Sequence, residues 1–298
     1  MNIFTYDAFT FPLPEGHRFP AAKYQMLREA VEAAQVVPPE NLITPTPATP
    51  NQLGRAHSDE YLDKVQHGRL SPQEIRRIGL PWSPELVVRC QHSVGATIAA
   101  CRTALQNGRS ASLGGGTHHA CWDEGQGFCV YNDTVAAARA MQAEGRARRI
   151  LVVDCDVHQG NGTAQITQGD ETIFTFSIHG EKNFPFRKIP SDLDVGLPDD
   201  TGDDDYLAAL EPALHTAVTR ARADLVIYLA GADVHEHDRL GRLCLTQAGV
   251  GARDRLVLGV CQSAGLPVAV TMAGGYGRSL PETVAVQLQT IQIIAQTL

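Results

Sequence analysis

The sequence predicts a single-domain α/β protein, a parallel sheet flanked by helices, and three observations carry that expectation. From residue 110 onward short apolar runs alternate with longer segments of helical spacing, and strands separated by helices pair in parallel through right-handed crossovers. Glycines and polar side chains collect just after those runs, at the carboxyl edge where open parallel sheets bind their ligands. The composition agrees: 298 residues, 43% hydrophobic and 19% charged, support one large core better than a coiled or disordered chain. No repeat, low-complexity linker or composition break divides residues 1–298.

In chain order, residues 2–6 form a first strand candidate. The stretch from Phe11 to Pro20 is too rich in Pro and Gly for a regular element. Helical spacing runs over 21–34, opened by Pro20 and stopped by Pro38-Pro39. Residues 43–50 hold too many prolines for a central strand and lead into a helix carrying His57 and Tyr61, four apart on one face; packing and a buried hydrogen bond account for that pair. After an irregular stretch from Ser71 to Pro84, a helix is expected over 85–106 with Gly108 as its terminator. The regular alternation then gives strands at 110–113, 149–154, 172–178, 224–230 and 267–272. Helices fall at 133–144, 161–167, 203–222, 246–264 and 278–296, with a long loop after residue 178.

A net charge of −8 opposes a broad electrostatic grip on nucleic acid. The cysteines are odd in number, seven, and lack a Cys-x-x-Cys pair, which favours reduced thiols and a cytoplasmic location. No basic region followed by an apolar core opens the chain and no apolar run is long enough to span a membrane. A soluble protein without a membrane partner is expected.

The candidate chemistry centres on Ile150-Leu-Val-Val-Asp154-Cys-Asp156-Val-His158. In an extended segment the three polar side chains point the same way, and a carboxylate, an imidazole and a further carboxylate suit a zinc ion with an open position. Acids capping the next helix are the structural alternative. Against that alternative stand the other strand ends: Gly114-Gly-Gly116-Thr-His118-His119, Gly231-Ala-Asp233 and Gly274-Gly275-Tyr276-Gly277. Capping alone calls for Ser and Thr rather than paired histidines and glycine-tyrosine loops.

These motifs, with His17-Arg18-Phe19-Pro20, the stretch from Gly114 to Asn132 and the stretch from Gly231 to Gly241, resemble the zinc-dependent histone deacetylases and their bacterial amidohydrolase relatives of the arginase/deacetylase fold, most of all the class IV branch. The resemblance implies that Asp156, His158 and Asp233 ligate Zn2+. It implies His119 as general base and later acid, His118 backed by Asp154 as electrostatic support, Asn161 behind His119, and Tyr276 as donor to the oxyanion. A K+ ion is implied on Asp154, Ser177 and the backbone of Asp156 and His158. Phe128 with Gly127 matches one wall of a narrow acyl-amine tunnel; Phe184 is the choice for the other, and Gly275 lies beside Tyr276. The implied substrate is an acylated lysine or acylated small amine, with acetylpolyamine as an alternative.

Two features depart from the family. Asn161 stands where some members carry Asp, so His119 is less biased toward the imidazolium. The rim stretch Gly79-Leu-Pro-Trp-Ser-Pro84 offers no carboxylate for a peptide backbone. Other clusters read as structural: His235-Glu236-His237-Asp238 as the loop beside Asp233, the acids of 199–205 as helix-start charges, and Gly114-Gly115-Gly116 as a turn lacking the Lys of a phosphate loop. Two rivals remain, a dimanganese ureohydrolase, which needs a carboxylate where Gly160 stands, and a catalytically silent binding module.

Overall fold

A computed structural model of the protein describes residues 1–296; the last two residues of the expected domain, 297 and 298, lie outside the described residues. Eight strands build one all-parallel sheet: β1 Ile3–Phe4, β2 Leu42–Ile43, β3 Arg109–Ser112, β4 Ile150–Asp154, β5 Ile173–Gly180, β6 Leu193–Leu197, β7 Leu225–Leu229 and β8 Val268–Thr271. Their order is β2-β1-β3-β8-β7-β4-β5-β6. The late strand β8 thus sits between β3 and β7 and joins three strands on one side to four on the other. No described helix is long and apolar enough to cross a membrane.

Helices cover both faces: α1 Ala22–Ala33, α2 Pro50–Leu53, α3 Asp59–Gln66, α4 Pro72–Ile78, α5 Pro84–Asn107, α6 Asp133–Ala143, α7 Asn161–Ile166, α8 Asp203–Ala221, α9 Gln247–Ser263 and α10 Leu280–Gln296. The two-residue period of β4 divides its side chains between two cores. Leu151 and Val153 pack with Leu27 of α1, Leu210 of α8, Val257 of α9 and Ile291 of α10. Ile150 and Val152 pack with Val94 of α5 and Val135 of α6. Both faces being covered, β4 and β7 read as near-continuous apolar runs, as buried parallel strands do.

Three elements differ from the sequence expectation. The 71–84 stretch contains α4, opened by a capping box in which the Ser71 hydroxyl accepts from Glu74 N–H and the Glu74 carboxylate accepts from Ser71 N–H at 2.6 Å. The long loop after β5 contains the edge strand β6, whose exposed Asp194 and Gly196 alternate with Leu193, Val195 and Leu197. The helix expected to carry both His57 and Tyr61 is broken: Ser58 caps α3, which leaves His57 before it. The pair still packs, with rings 5.6 Å apart. His57 Nδ1 donates to Cys121 O at 2.9 Å while Nε2 accepts from Asn132 N–H at 2.8 Å, and Tyr61 donates to Val130 O.

One buried side chain fixes the strand ends that matter. Arg253 of α9 is fully buried and donates to the carbonyls of Cys155 and Gly231, at 3.2 and 2.6 Å, just beyond β4 and β7. Its other guanidinium nitrogens hold Asp254 Oδ1 at 2.8–2.9 Å, and Asp254 also accepts from Tyr228 and Thr290. A charge pair this deep persists only when its hydrogen bonds are satisfied, and here they reach both strands that bear the candidate metal ligands.

Candidate active site

The loops beyond β3, β4, β7 and β8 converge at the carboxyl edge of the sheet. After β4, Asp156 and His158 turn inward; after β7, Asp233 meets them, and the three residues place ligand atoms within 4.8 Å of one another. His158 Nδ1 lies 3.0 Å from Asp156 Oδ1 and 3.3 Å from Asp233 Oδ2. Backbone amides orient the acids: Gly274 N–H reaches Asp156 Oδ2 at 2.7 Å and Val157 N–H reaches Asp233 Oδ1 at 3.0 Å. A side chain at Gly274 would drive a Cβ into both carboxylates.

These donors fit a divalent cation. Asp233 Oδ2 is buried and makes no hydrogen bond. Burial, and then Asp156, push the Asp233 carboxyl up to about 7. Burial works against a charged His158, yet Asp156 and Asp233 outweigh it and hold that imidazole up at about 10. The cluster is short of positive charge, and carboxylate oxygens with an imidazole nitrogen, three ligands in all, are donors of the kind a zinc ion with an open position takes. A carboxylate at Gly160, needed for a second metal beside this one, would collide with Asp154. A second group of three that could hold an ion is His235, His237 and Glu282, the two histidines in the loop after β7, with His237 Nδ1 and Glu282 Oε1 2.6 Å apart.

His118 and His119 follow the glycine loop after β3. That loop hangs on Asp133 of α6, whose carboxylate accepts from Gly116 and Thr117 N–H at 3.0 and 2.7 Å. His118 Nδ1 meets Asp154 Oδ2 at 2.6 Å, and His119 Nδ1 meets Asn161 Oδ1 at 2.7 Å. Both acceptors take a proton on Nδ1, so Nε2 is the nitrogen left for the site. Burial opposes charge on both rings. Asp154 and Asp156 overcome it at His118, holding that imidazole up at about 9. At His119 burial is reinforced by His118 and His158, and its pKa falls well below the ordinary histidine value.

The two phenylalanines expected to face each other come from two loops; Phe128 lines the cavity, and Phe184 packs against His119 beside it. Gly127 and Phe128 are both left-handed, with φ of 56° and 66°, and their amides bond to Arg77 O and Ile78 O at the end of α4. The Phe128 ring packs 5.7 Å from that of Tyr276. Phe184 stands edge-on to His119, ring centroids 4.9 Å apart. A Cβ at Gly127 would lie 2.7 Å from His119 Cδ2 and 3.2 Å from Phe184 Cε1. Ser177 is the register partner of Asp154, and its hydroxyl lies 3.0 Å from His179 Nδ1.

Tyr276 lines the same cavity as His118, His119, Asp156, His158 and Phe128. Burial, then Asp156 and Asp233, keep its phenol well above the ordinary tyrosine range, so it is a donor. Its backbone N–H bonds to Asp238 Oδ2 at 2.6 Å, and Arg239 Nε bonds to its carbonyl. Lys23, from α1, is buried, donates to Gly275 O at 3.1 Å and lies 5.2 Å from the Tyr276 ring centroid. Asp238, Arg239 and Lys23 are additions to the sequence-derived site. Asp238 carried a signal, as the acid of a loop adjoining Asp233; Lys23 carried none, since nothing local distinguishes it on a surface helix.

A solved structure of an HDAC homologue complexed with SAHA aligns with a TM-score of 0.84 at 21% identity, over 98% of this chain and 82% of that one. The shared architecture is that of the arginase/deacetylase fold. Within it the chain belongs to the histone deacetylase family: the Histone deacetylase domain model matches residues 17–291. An uncharacterized protein of Picosynechococcus sp. is 45% identical over 276 residues, 93% of this chain and 92% of that protein. Histone deacetylase 2 of Arabidopsis thaliana is 25% identical over 297 residues, 96% of this chain and 76% of its own length.

Proposed function

We propose that the protein is a zinc-dependent amidohydrolase that removes acetyl or longer acyl groups from the nitrogen of a lysine side chain or a related small amine. The observation that carries this reading is that His118, His119, Asp156 and His158 line one cavity, with the ligand atoms of Asp233 within 4.8 Å of those of Asp156 and His158. Asp156, His158 and Asp233 would hold the zinc, which when bound supplies a Lewis acid and an activated water.

The chain's own groups do the rest. Neutral His119 takes a proton at Nε2 as water attacks the amide carbonyl, then returns it to the departing amine. Asn161 fixes the tautomer that makes this possible. His118, hydrogen-bonded to Asp154, gives electrostatic support beside the developing oxyanion, and Tyr276 donates a hydrogen bond from its phenol to the same oxygen. Phe128 and Phe184 clasp the methylenes of the amine, while Gly127 and Gly275 let backbone approach it. Asp154 and Ser177, with the carbonyls of Asp156 and His158, would hold a potassium ion; their pairing on β4 and β5 supports it. A small acylated amine is a second reading, favoured because 79–84 brings no carboxylate to the rim.

Metal analysis joined to hydrolysis of acyl-lysine peptides and acetylpolyamines tests the proposal. Binding of about one zinc per chain with amine release is expected. Manganese-dependent urea release would instead indicate a ureohydrolase, and a zinc-loaded chain inert toward every amide would indicate a binding module.

A further inference from the structure

The catalytic cavity contains more positive charge than the reaction above uses. Besides Lys23, it is lined by Arg89 of α5, which is 6% exposed. Arg89 Nη1 donates to Phe9 O at 2.8 Å, but Nη2 is buried and makes no hydrogen bond. Among the described residues neither Arg89 nor Lys23 pairs with a carboxylate; their neighbours are aromatic faces. The guanidinium lies 4.2 Å from the Tyr24 ring centroid and 5.0 Å from that of Tyr6. Lys23 Nζ lies 5.3 Å from the same Tyr24 ring. Arginine stays protonated in proteins. Cation–π contacts offset part of its desolvation but leave its free donors without an acceptor. An anion is the missing partner.

The placement of the two cations says which anion. Lys23 touches Gly275 and the Tyr276 ring, next to where the acyl carbonyl sits in the proposed reaction. Arg89 lies one aromatic ring beyond it. An acetyl group carries no charge for Arg89 to pair with, and a plain hydrocarbon tail would press apolar surface against an unpaired charge, which is unfavourable. A short acyl chain ending in a carboxylate places its negative charge between the two. We infer that the substrate is the monoamide of a short dicarboxylic acid, so that the acyl group removed is of the succinyl or glutaryl type, with Arg89 as the residue that selects it; this rests on the amidohydrolase reading above. The step is a hydrolysis: water oxygen bonds to the amide carbon, the carbon–nitrogen bond breaks, the nitrogen leaves with a proton, and free amine and dicarboxylate result.

The test uses the zinc-loaded full chain on one peptide carrying acetyl-, butyryl- or succinyl-lysine, with calorimetric titration of glutarate and acetate in parallel. Butyryl matches succinyl in chain length without its charge. Succinyl-lysine is expected to exceed butyryl-lysine in kcat/KM by about tenfold or more, the scale of a charge-assisted hydrogen bond. Arg89→Met should lower the succinyl-to-acetyl ratio by a similar factor and Arg89→Lys should recover part of it. Glutarate should bind more tightly than acetate, in wild type but not in Arg89→Met. Butyryl-lysine equalling succinyl-lysine overturns the inference while leaving amide hydrolysis intact, as does a ratio unmoved by Arg89→Met. Equal binding of acetate and glutarate also overturns it, assigning the cations to release of any acid product. Arg89-dependent glutarate binding in a chain that hydrolyses no amide would sink the amidohydrolase reading and keep the dicarboxylate site. Should Arg89→Met not fold, the wild-type preferences decide.

Discussion

His118 and His119 stand with rings 4.1 Å apart, yet their surroundings push their pKa values in opposite directions. The carboxylates of Asp154 and Asp156 hold His118 up, while burial, reinforced by His118 and His158, lowers His119, whose hydrogen-bond partner Asn161 brings no charge to oppose it. His119→Ala is expected to lower turnover by about 10²- to 10⁴-fold, and Tyr276→Phe by roughly 10²- to 10³-fold. Zinc content should be unchanged in each, and full activity in both variants would dismantle the mechanism. A third histidine governs stability rather than turnover. Burial lowers His57 from 6.5 to about 4, so the unfolded chain binds a proton that the folded chain refuses. Its contribution is complete above pH 6.5 and is lost as pH falls toward 4, on the order of 3 kcal/mol in all. Denaturant titrations across that range should show a smaller slope with pH for His57→Gln. The residues that gather at the carboxyl edge, among them His118, Asp156, His158, Asp233 and Tyr276, were legible because they follow strands in glycine-bearing loops. Lys23 and Arg89 were not, because their meaning comes from Tyr24, Tyr276 and Phe9, contacts made across the fold.

At the scale of elements, the central strands β4 and β7 were legible as near-continuous apolar runs and the long helices by their period. The two-residue β2 is too short to have a period, and β6 hides its alternation behind Asp194 and Gly196. Helix α4 had a readable start in Ser71-Pro-Gln-Glu74, but only Ile75 and Ile78 mark its apolar side. That helix carries weight, because its last carbonyls hold Gly127 and Phe128. The bond between α9 and the strand ends gives a direct prediction. Arg253→Met, which leaves Asp254 buried without its cation, should destabilise the fold by about 3–5 kcal/mol. Denaturant unfolding measures this, and a variant within error of wild type would show that the clamp is dispensable.

For the whole molecule, an ion that binds only the folded chain adds to its stability in proportion to the logarithm of its concentration. Free zinc at a thousand times its Kd should contribute about 4 kcal/mol, seen as a rise in Tm that chelation reverses and that Asp233→Ala abolishes. A Tm indifferent to zinc would contradict the metal assignment. The place of β8 between β3 and β7 also dictates an order of events as the chain leaves the ribosome. Asp156 and His158 emerge well before their partner Asp233, and the strand that unites the sheet emerges later still. Until then two part-sheets present open inner edges, the form in which β-proteins adhere to one another. The nascent chain is therefore most in need of a chaperone just before residue 268 appears, and the moment that closes the sheet is also the one that brings Gly274 against Asp156 and Asp233.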